Sequence, residues 1–173
     1  MDENGSKGRM KTQIVSASKI INAPAEEIYK IIADYRDGHP HILPKAYFSS
    51  LEVEEGGFGE GTVIQFQMRI LGQTQNFRAL ITEPDPGCVL LETDLSSDNS
   101  TSFTVWSLGN RGQARVTIMT VLKNRPLLEG LLAKILLTNV YRQELELLAR
   151  MAKYSTQAVE GVPTNHLQTK ASK

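Results

Sequence analysis

The stretch Pro126–Lys153, PLLEGLLAKILLTNVYRQELELLARMAK, decides how the rest of the chain has to fold. Beyond its leading proline it holds no other proline and only one glycine, and its apolar residues recur three and four apart. Leu128, Leu131, Leu132, Ile135, Leu136 and Val140 form one stripe, which Leu145, Leu148, Met151 and Ala152 continue with some drift. That is the helical period, and at about 1.5 Å per residue the helix is roughly 40 Å long, the span of a small domain. Pro126 suits the first turn, where its missing N–H is no loss. The two halves differ. Between Leu127 and Tyr141 only Glu129 and Lys134 are charged, whereas Glu146 and Arg150 stand one turn apart in the order favoured on an exposed face. A helix apolar nearly all round is normally enclosed, so its first half needs a cover.

The preceding residues supply one. Gln13 to Asn22 is β-branched and strand-like, and Ala23-Pro24-Ala25-Glu26-Glu27 opens a helix with a proline and two acids at its positive end. Ile28, Ile31 and Ile32 form that helix's buried side, Asp37-Gly38-His39-Pro40 breaks it, and His41 to Pro44 makes at most one further turn. From Tyr47 the period changes to two. Leu51 and Val53 alternate with Glu52 and Glu54, and Ile64, Phe66, Met68 and Ile70 alternate with Gln65, Gln67 and Arg69. Gly72-Gln73 reads as a tight hairpin turn, and the returning strand carries Phe77, Ala79 and Ile81 on one face and Asn76, Arg78 and Thr82 on the other. Pro84-Asp85-Pro86-Gly87 is a turn, and Cys88–Thr93, Ser102–Leu108 and Gln113–Leu122 are three further strands. The expected fold is α+β. A curved seven-stranded antiparallel sheet wraps around a long C-terminal helix, with one or two short helices after the first strand, an arrangement that leaves an apolar gap between sheet and helix. Residues 1–12 are a polar, disordered segment, 13–153 a single domain and 154–173 a polar tail.

Composition narrows the function. The 173 residues balance 19 basic against 19 acidic side chains, with no basic cluster, which argues against nucleic-acid binding. Cys88 is the lone cysteine, so no internal disulfide forms and a reducing, cytoplasmic setting is expected. No signal peptide is visible, and no stretch approaches the ~20 apolar residues of a membrane span.

With these elements in place, the chain resembles the START-like, polyketide cyclase/dehydrase and lipid-transport superfamily (SRPBCC), the helix-grip fold of the birch pollen allergens. The likeness covers about Gln13 to Lys153 and rests on IINAPAEEIYKIIADY, the loop GGFGEGT, the PDPG turn and the proline-led last helix. The most specific part is Ala23-Pro24, Glu26-Glu27, Ile28-Tyr29, Ile31-Ile32 and Asp34-Tyr35. The aromatic residue that often follows is missing from HPHILP. The resemblance implies an internal cavity for lipids, hormones, quinones or polyketides. It implies no single chemistry, and with no shared catalytic motif it carries over no catalytic residue.

The expected cavity lining is Tyr47, Ile64, Phe66, Met68, Phe77, Ala79, Ile81, Leu91, Leu132, Ile135, Leu136, Asn139 and Val140, with Phe58 on the entrance loop. The same residue types also build a packed core. Polar candidates for acid–base work are Tyr47, Gln75, Glu83, Asn139 and Gln143, while Arg69 and Arg78 are expected to face solvent and Trp106 has no clear side. The loop Gly56–Gly61 leads into a strand, so it lacks the helix N-terminus of a phosphate cradle. His39 and His41 flank a proline in a loop, without the further ligand a metal site needs, so neither metal nor cofactor is expected. Cys88 is read as structural, and no GxSxG elbow is present. The sequence thus favours a non-enzymatic module that holds a small hydrophobic molecule (lipid, quinone or polyketide-like). The alternative is a cyclase/dehydratase using the same cavity, and a coenzyme-Q-binding or membrane-associated chaperone comes third. Transient membrane contact through Leu127 and Leu131 fits that last reading, and the pattern fixes no oligomeric state.

Overall fold

The computed structural model describes residues 11–160 apart from 71, 110, 111 and 126, and their side chains except at 11, 124, 125, 127–130 and 155–160. The expectations for residues 1–10, Pro126, the side chains of Leu127 and Leu128, and the tail from 161 onward lie outside the described residues. In chain order the elements are β1 (Lys11–Ile21), α1 (Ala25–Ala33), α2 (His39–Ile42), β2 (Phe48–Glu55), β3 (Val63–Ile70), β4 (Gln73–Asp85), β5 (Val89–Asp94), β6 (Ser100–Ser107), β7 (Ala114–Arg125) and α3 (Leu127–Glu160). The strands form one seven-stranded sheet in the order β1-β7-β6-β5-β4-β3-β2. Every neighbouring pair is antiparallel. The expected α+β architecture is therefore present, with hairpins stepping from β2 back to β7 and β1 closing the far side.

Alternation sets the two faces. In β4, Ala79 and Ile81 are buried and Phe77 half-buried, while Asn76 and Arg78 are exposed. Arg69 is exposed too, and Arg78 pairs with Glu54 at 2.6 Å on the outer surface. Trp106 is exposed on β6. The core lies between the inner face, α1 and the second half of α3, where Val140, Leu145, Leu148 and Ala152 are at most 2% exposed. α1 adds Ile28 and Ile32, both fully buried. Pro24 sits just ahead of α1 as its N-cap, with φ −58 and ψ 141, rather than inside the first turn.

Several boundaries differ from the sequence reading; those of α2, β5, β6 and β7 shift by a few residues at most. β1 begins at Lys11. The hairpin closes on the pair Ile70 and Gln73, so Gln73 opens β4 and Gly72, at φ 81, makes the turn. α3 continues to Glu160 rather than ending at Lys153, because loss of the apolar period is not loss of helix propensity, and no glycine or proline occurs before Gly161 and Pro163.

The cover over α3 is also one-sided. The helix packs on β1, β7, α1 and α2, and in its first half only one side turns inward. Ala133, Leu136 and Leu137 are half-buried, whereas Leu131 is 54% and Ile135 63% exposed. A space remains beneath this half.

The glycine loop before β3 is sewn to the end of α1. Tyr35 N–H donates to Gly57 O and Gly59 N–H to Ala33 O, each at 2.9 Å. Gly57 has φ 130, where a side chain is strained, and a Cβ there would displace the Arg36 side chain that donates to Gly56 O.

Candidate functional site

The space under α3 is a cavity of about 420 Å³. β3 and β4 give it an aromatic wall in which the Phe66 and Phe77 rings stack at 5.2 Å, joined by Met68, Ile70 and Ala79. Leu132, Ala133, Leu136 and Leu137 roof it, Leu122 closes one side, and Gln75 and Asn99 add polar atoms. Leu132 is 42% exposed, so this end of the roof also meets solvent. A recess of about 60 Å³ shares Phe66, Met68, Glu92 and Thr101 with the cavity and is otherwise lined by residues that include His39, Phe103, Tyr141 and Glu144.

The floor of this space is polar, and strand register makes it so. In β5 the residues Leu90, Glu92 and Asp94 share the inner face, Leu90 being fully buried. Glu92 stands opposite Thr101 on β6, which stands opposite Thr120 on β7. The result is a polar row across three central strands. The Thr101 and Thr120 hydroxyls are 2.7 Å apart, and the Tyr141 hydroxyl from α3 completes the chain by hydrogen bonding to Thr120.

At the other end of the row, α1 and α2 bring two partners to Glu92. Tyr35, which follows α1, donates to Glu92 Oε1 at 2.6 Å. His39 Nε2 lies 3.6 Å from the same oxygen, within ion-pair range when the ring is protonated but too long for a hydrogen bond. His39 Nδ1 is 2.7 Å from Ile32 O. A carbonyl only accepts, so Nδ1 carries a proton. Stacking on Tyr35 at 4.5 Å and an edge contact with Phe103 hold the imidazole still. It is 2% exposed, a buried neighbour of Glu92 at the start of α2 and not in a loop as its sequence context indicated.

Burial pushes the Glu92 carboxyl above the ordinary carboxylate range, although the His39 ring and the Tyr35 hydroxyl pull the other way. Glu144 is 3% exposed, and burial, followed by the Glu92 charge, lifts it well above that range. Burial raises the Tyr35 and Tyr141 phenols as well, so both stay protonated at neutral pH. Together these groups can hold a ligand's polar end, and Glu92 and Glu144 can exchange protons with it.

The structure brings together Phe66, Met68, Phe77, Ala79, Leu132 and Leu136 of the expected lining, along with Gln75. Ile64 lines the recess. Val140 and Ile81 are fully buried in the packed core and line neither space. Ile135 points outward. Leu91 falls on the outer face, because Leu90 and Glu92 take the inner one; the run Val89-Leu90-Leu91 offers no alternation to fix the phase. Asn139 is exposed and donates to the Tyr47 hydroxyl at 2.6 Å, bracing α3 against the start of β2 outside the cavity. Glu83 accepts from Tyr29 at 2.7 Å beneath α1. Gln143 and Phe58 line neither space, and Phe58 is 58% exposed on the loop beside Asp34.

The sequence pattern did not mark Glu92, Thr101, Thr120, Tyr141 or Glu144. Glu144 had a usable signal: it continues the spacing of Leu137 and Tyr141 toward Leu148, a charge set inside an apolar stripe. Among the described residues, no group of three or more His, Cys, Asp or Glu side chains is placed to hold a metal ion. No helix among them is long and apolar enough to cross a membrane.

No protein-family model matches the chain, and no curated protein matches it either. Solved structures do. The KanY protein aligns with TM-score 0.72 at 23% identity, over 83% of this chain and 99% of that one. The Zhui aromatase/cyclase from Streptomyces sp. R1128 aligns with TM-score 0.74 at 16% identity, over 88% of this chain and 100% of its own. A START superfamily protein from Mycobacterium smegmatis aligns with TM-score 0.67 at 15% identity, over 82% and 98% respectively. The chain thus has the START-like helix-grip fold.

Proposed function

We propose that the chain binds a small, largely apolar, ring-bearing molecule in the cavity between sheet and α3, with the molecule's polar end on the floor around Glu92. The observation that carries this reading is a cavity of about 420 Å³ whose walls are apolar and whose floor is not. Its size lies in the range of small-molecule sites, roughly 300–1,000 Å³. A ligand burying about 250 Å² of apolar surface gains about 6 kcal/mol at ~25 cal/mol per Å². That falls short of the ~8 kcal/mol of a micromolar complex even before the cost of association is counted, so binding of that strength would draw on the floor as well. Native mass spectrometry of the purified protein, with organic extraction of its cargo, tests the reading. A stoichiometric aromatic, quinone or lipid compound supports it. A clean unliganded mass, with no thermal stabilisation by a panel of such compounds, refutes it.

A second reading, an enzyme of the cyclase/dehydratase type, is favoured by one feature: the buried Tyr35–Glu92 pair at 2.6 Å with His39 beside it. An entirely apolar cavity would suit carriage alone. A carboxyl lifted by burial toward neutral pH suits proton abstraction next to a carbonyl, with Tyr35 and His39 stabilising its charged form. The likeness to an aromatase/cyclase supports the same reading. If it is right, Glu92→Gln abolishes turnover of a bound polyketone while leaving its affinity within about threefold; equal loss of both sinks it.

A further inference from the structure

The recess beyond Glu92 has a role of its own, one that rests on the cavity being a ligand site. Glu144 projects from α3 into this recess, makes no hydrogen bond among the described residues, and is 3% exposed. No buried side-chain oxygen or nitrogen among the described residues is sealed off without a partner, so the Glu144 oxygens open on the recess itself. The charged and titratable groups that face it are Glu92 from β5, His39 from α2 and Tyr141 from α3, with Tyr35 behind Glu92. Two carboxyls thus share one recess with a single imidazole. They cannot both be ionised without burying an uncompensated charge. Glu92 has the Tyr35 hydroxyl and the His39 ring beside it, which leaves Glu144, with neither, as the group that keeps its proton. The Tyr35 hydroxyl already donates to Glu92 and the Tyr141 hydroxyl is tied to Thr120. A neutral Glu144 is then a donor whose side chain has no hydrogen-bond partner among the described residues.

We propose that Glu144 is a hydrogen-bond donor to the ligand's leading oxygen, and that the site selects an uncharged carbonyl (a ketone or quinone group on an apolar skeleton) over a carboxylate. At about 60 Å³ the recess takes a group of a few heavy atoms, such as an acetyl or quinone carbonyl edge. A ligand carboxylate would meet two acidic side chains and only one imidazole. An ammonium group would leave water for a space otherwise walled by Phe66, Met68, Ile64 and Phe103.

The test is a matched naphthalene panel titrated onto the full chain: methyl naphthyl ketone, isopropylnaphthalene, naphthoate and naphthylethylamine. At mildly acidic pH the ketone should bind about tenfold more tightly than the hydrocarbon, the worth of one buried hydrogen bond. Naphthoate should bind more weakly than either. The ketone's advantage should fade as pH rises and Glu144 loses its proton. Glu144→Gln, which keeps an N–H donor and cannot titrate, should retain the advantage and flatten the pH profile. Glu144→Leu should remove it. A ketone no tighter than the hydrocarbon overturns the donor role while the cavity reading stands. An amine that binds tightest, gains with rising pH and is lost in Glu144→Gln overturns it in favour of a cation site. If no member binds, the hydrocarbon included, the cavity reading fails and this one with it. The panel and the pH series on the unaltered chain decide the matter even if a variant does not fold.

Discussion

Replacing Glu144 with Gln should make the protein more stable, and by an amount that grows with pH. The two side chains have the same shape, so the packing around position 144 is kept; what changes is titration. Glu144 is 3% exposed, and burial and the Glu92 charge raise its folded pKa well above the ordinary value. Between the unfolded value of about 4.3 and the folded one, the native state holds a proton that the unfolded chain has released. Stability from this group is therefore complete below the unfolded pKa and declines as pH rises, by about 1.4 kcal/mol per pH unit, until the folded pKa is passed. Gln has no such decline. Relative to wild type, Glu144→Gln should gain about 4 °C in Tm per pH unit across that window, for a domain of this size. Urea or thermal unfolding at steps from about pH 4 to about pH 8 measures this directly. Every other titratable group is present in both proteins, so what survives in the difference is Glu144 itself and its coupling to Glu92. Glu146→Gln, on the solvent side with its side chain 60% exposed and paired to Lys19, is the control and should show no comparable slope. A pH-independent difference for Glu144→Gln, or one that turns against Gln as pH rises, would refute the placement of Glu144 as a buried, proton-holding acid.

Three other perturbations probe separate parts of the site. Ala133→Phe projects a ring from the roof into the cavity, so it should weaken any apolar ligand by at least about tenfold while changing stability by less than about 1.5 kcal/mol, since the ring fills existing space; calorimetric titration and denaturant melts check both. Tyr35→Phe removes the donor at 2.6 Å from Glu92 and should cost about 2 kcal/mol in urea unfolding, because a buried carboxyl is left short of a partner. Gly59→Ala should cost about 1–2 kcal/mol, since φ is +58 and the new methyl would lie 2.8 Å from Glu83 Oε1, the acceptor of the Tyr29 hydroxyl. A melt for Gly59→Ala matching wild type would mean that the loop before β3 is not held against α1 as described.

The long helix, the hairpins and the order of elements were legible because each rests on a local period: three-to-four in Leu132–Leu148, two in Ile64–Ile70 and Phe77–Ile81. The aromatic wall followed from the same alternation. What failed was phase and end. Val89-Leu90-Leu91 is apolar on both faces, so sequence alone could not say whether Leu91 or Glu92 turned inward, and choosing Leu91 hid the main polar group of the site. The partners of Glu92 were beyond local reach for a different reason. Tyr35 and His39 lie 57 and 53 residues before it, and only the antiparallel register and the break after α1 bring them together. Val140 and Ile135 were misplaced because a stripe spread around the first half of α3 does not say which arc meets the sheet. The structure answers with the arc of Ala133, Leu136 and Leu137.

Glu92, Glu144 and the Thr101–Thr120–Tyr141 row occupy positions where aliphatic side chains would give a more stable interior. Replacing buried ionisable groups with well-packed apolar ones is often neutral or stabilising by about 1–4 kcal/mol. The chain meets that cost elsewhere, in the closed core where Ile28, Ile32, Ile118 and Leu148 are fully buried. α3 spans both regions. From Val140 onward its inner side is buried, Tyr141 and Glu144 included, and Glu146 pairs with Lys19 of β1. Ahead of Val140 it rests on the cavity and leaves Leu131 and Ile135 in solvent. On the proposed reading a ligand gains apolar contact mainly from the half of α3 that faces the cavity, and its polar end meets groups held by the buried half. The floor would then set which functional group is accepted, and the space under the roof how large a skeleton can follow it.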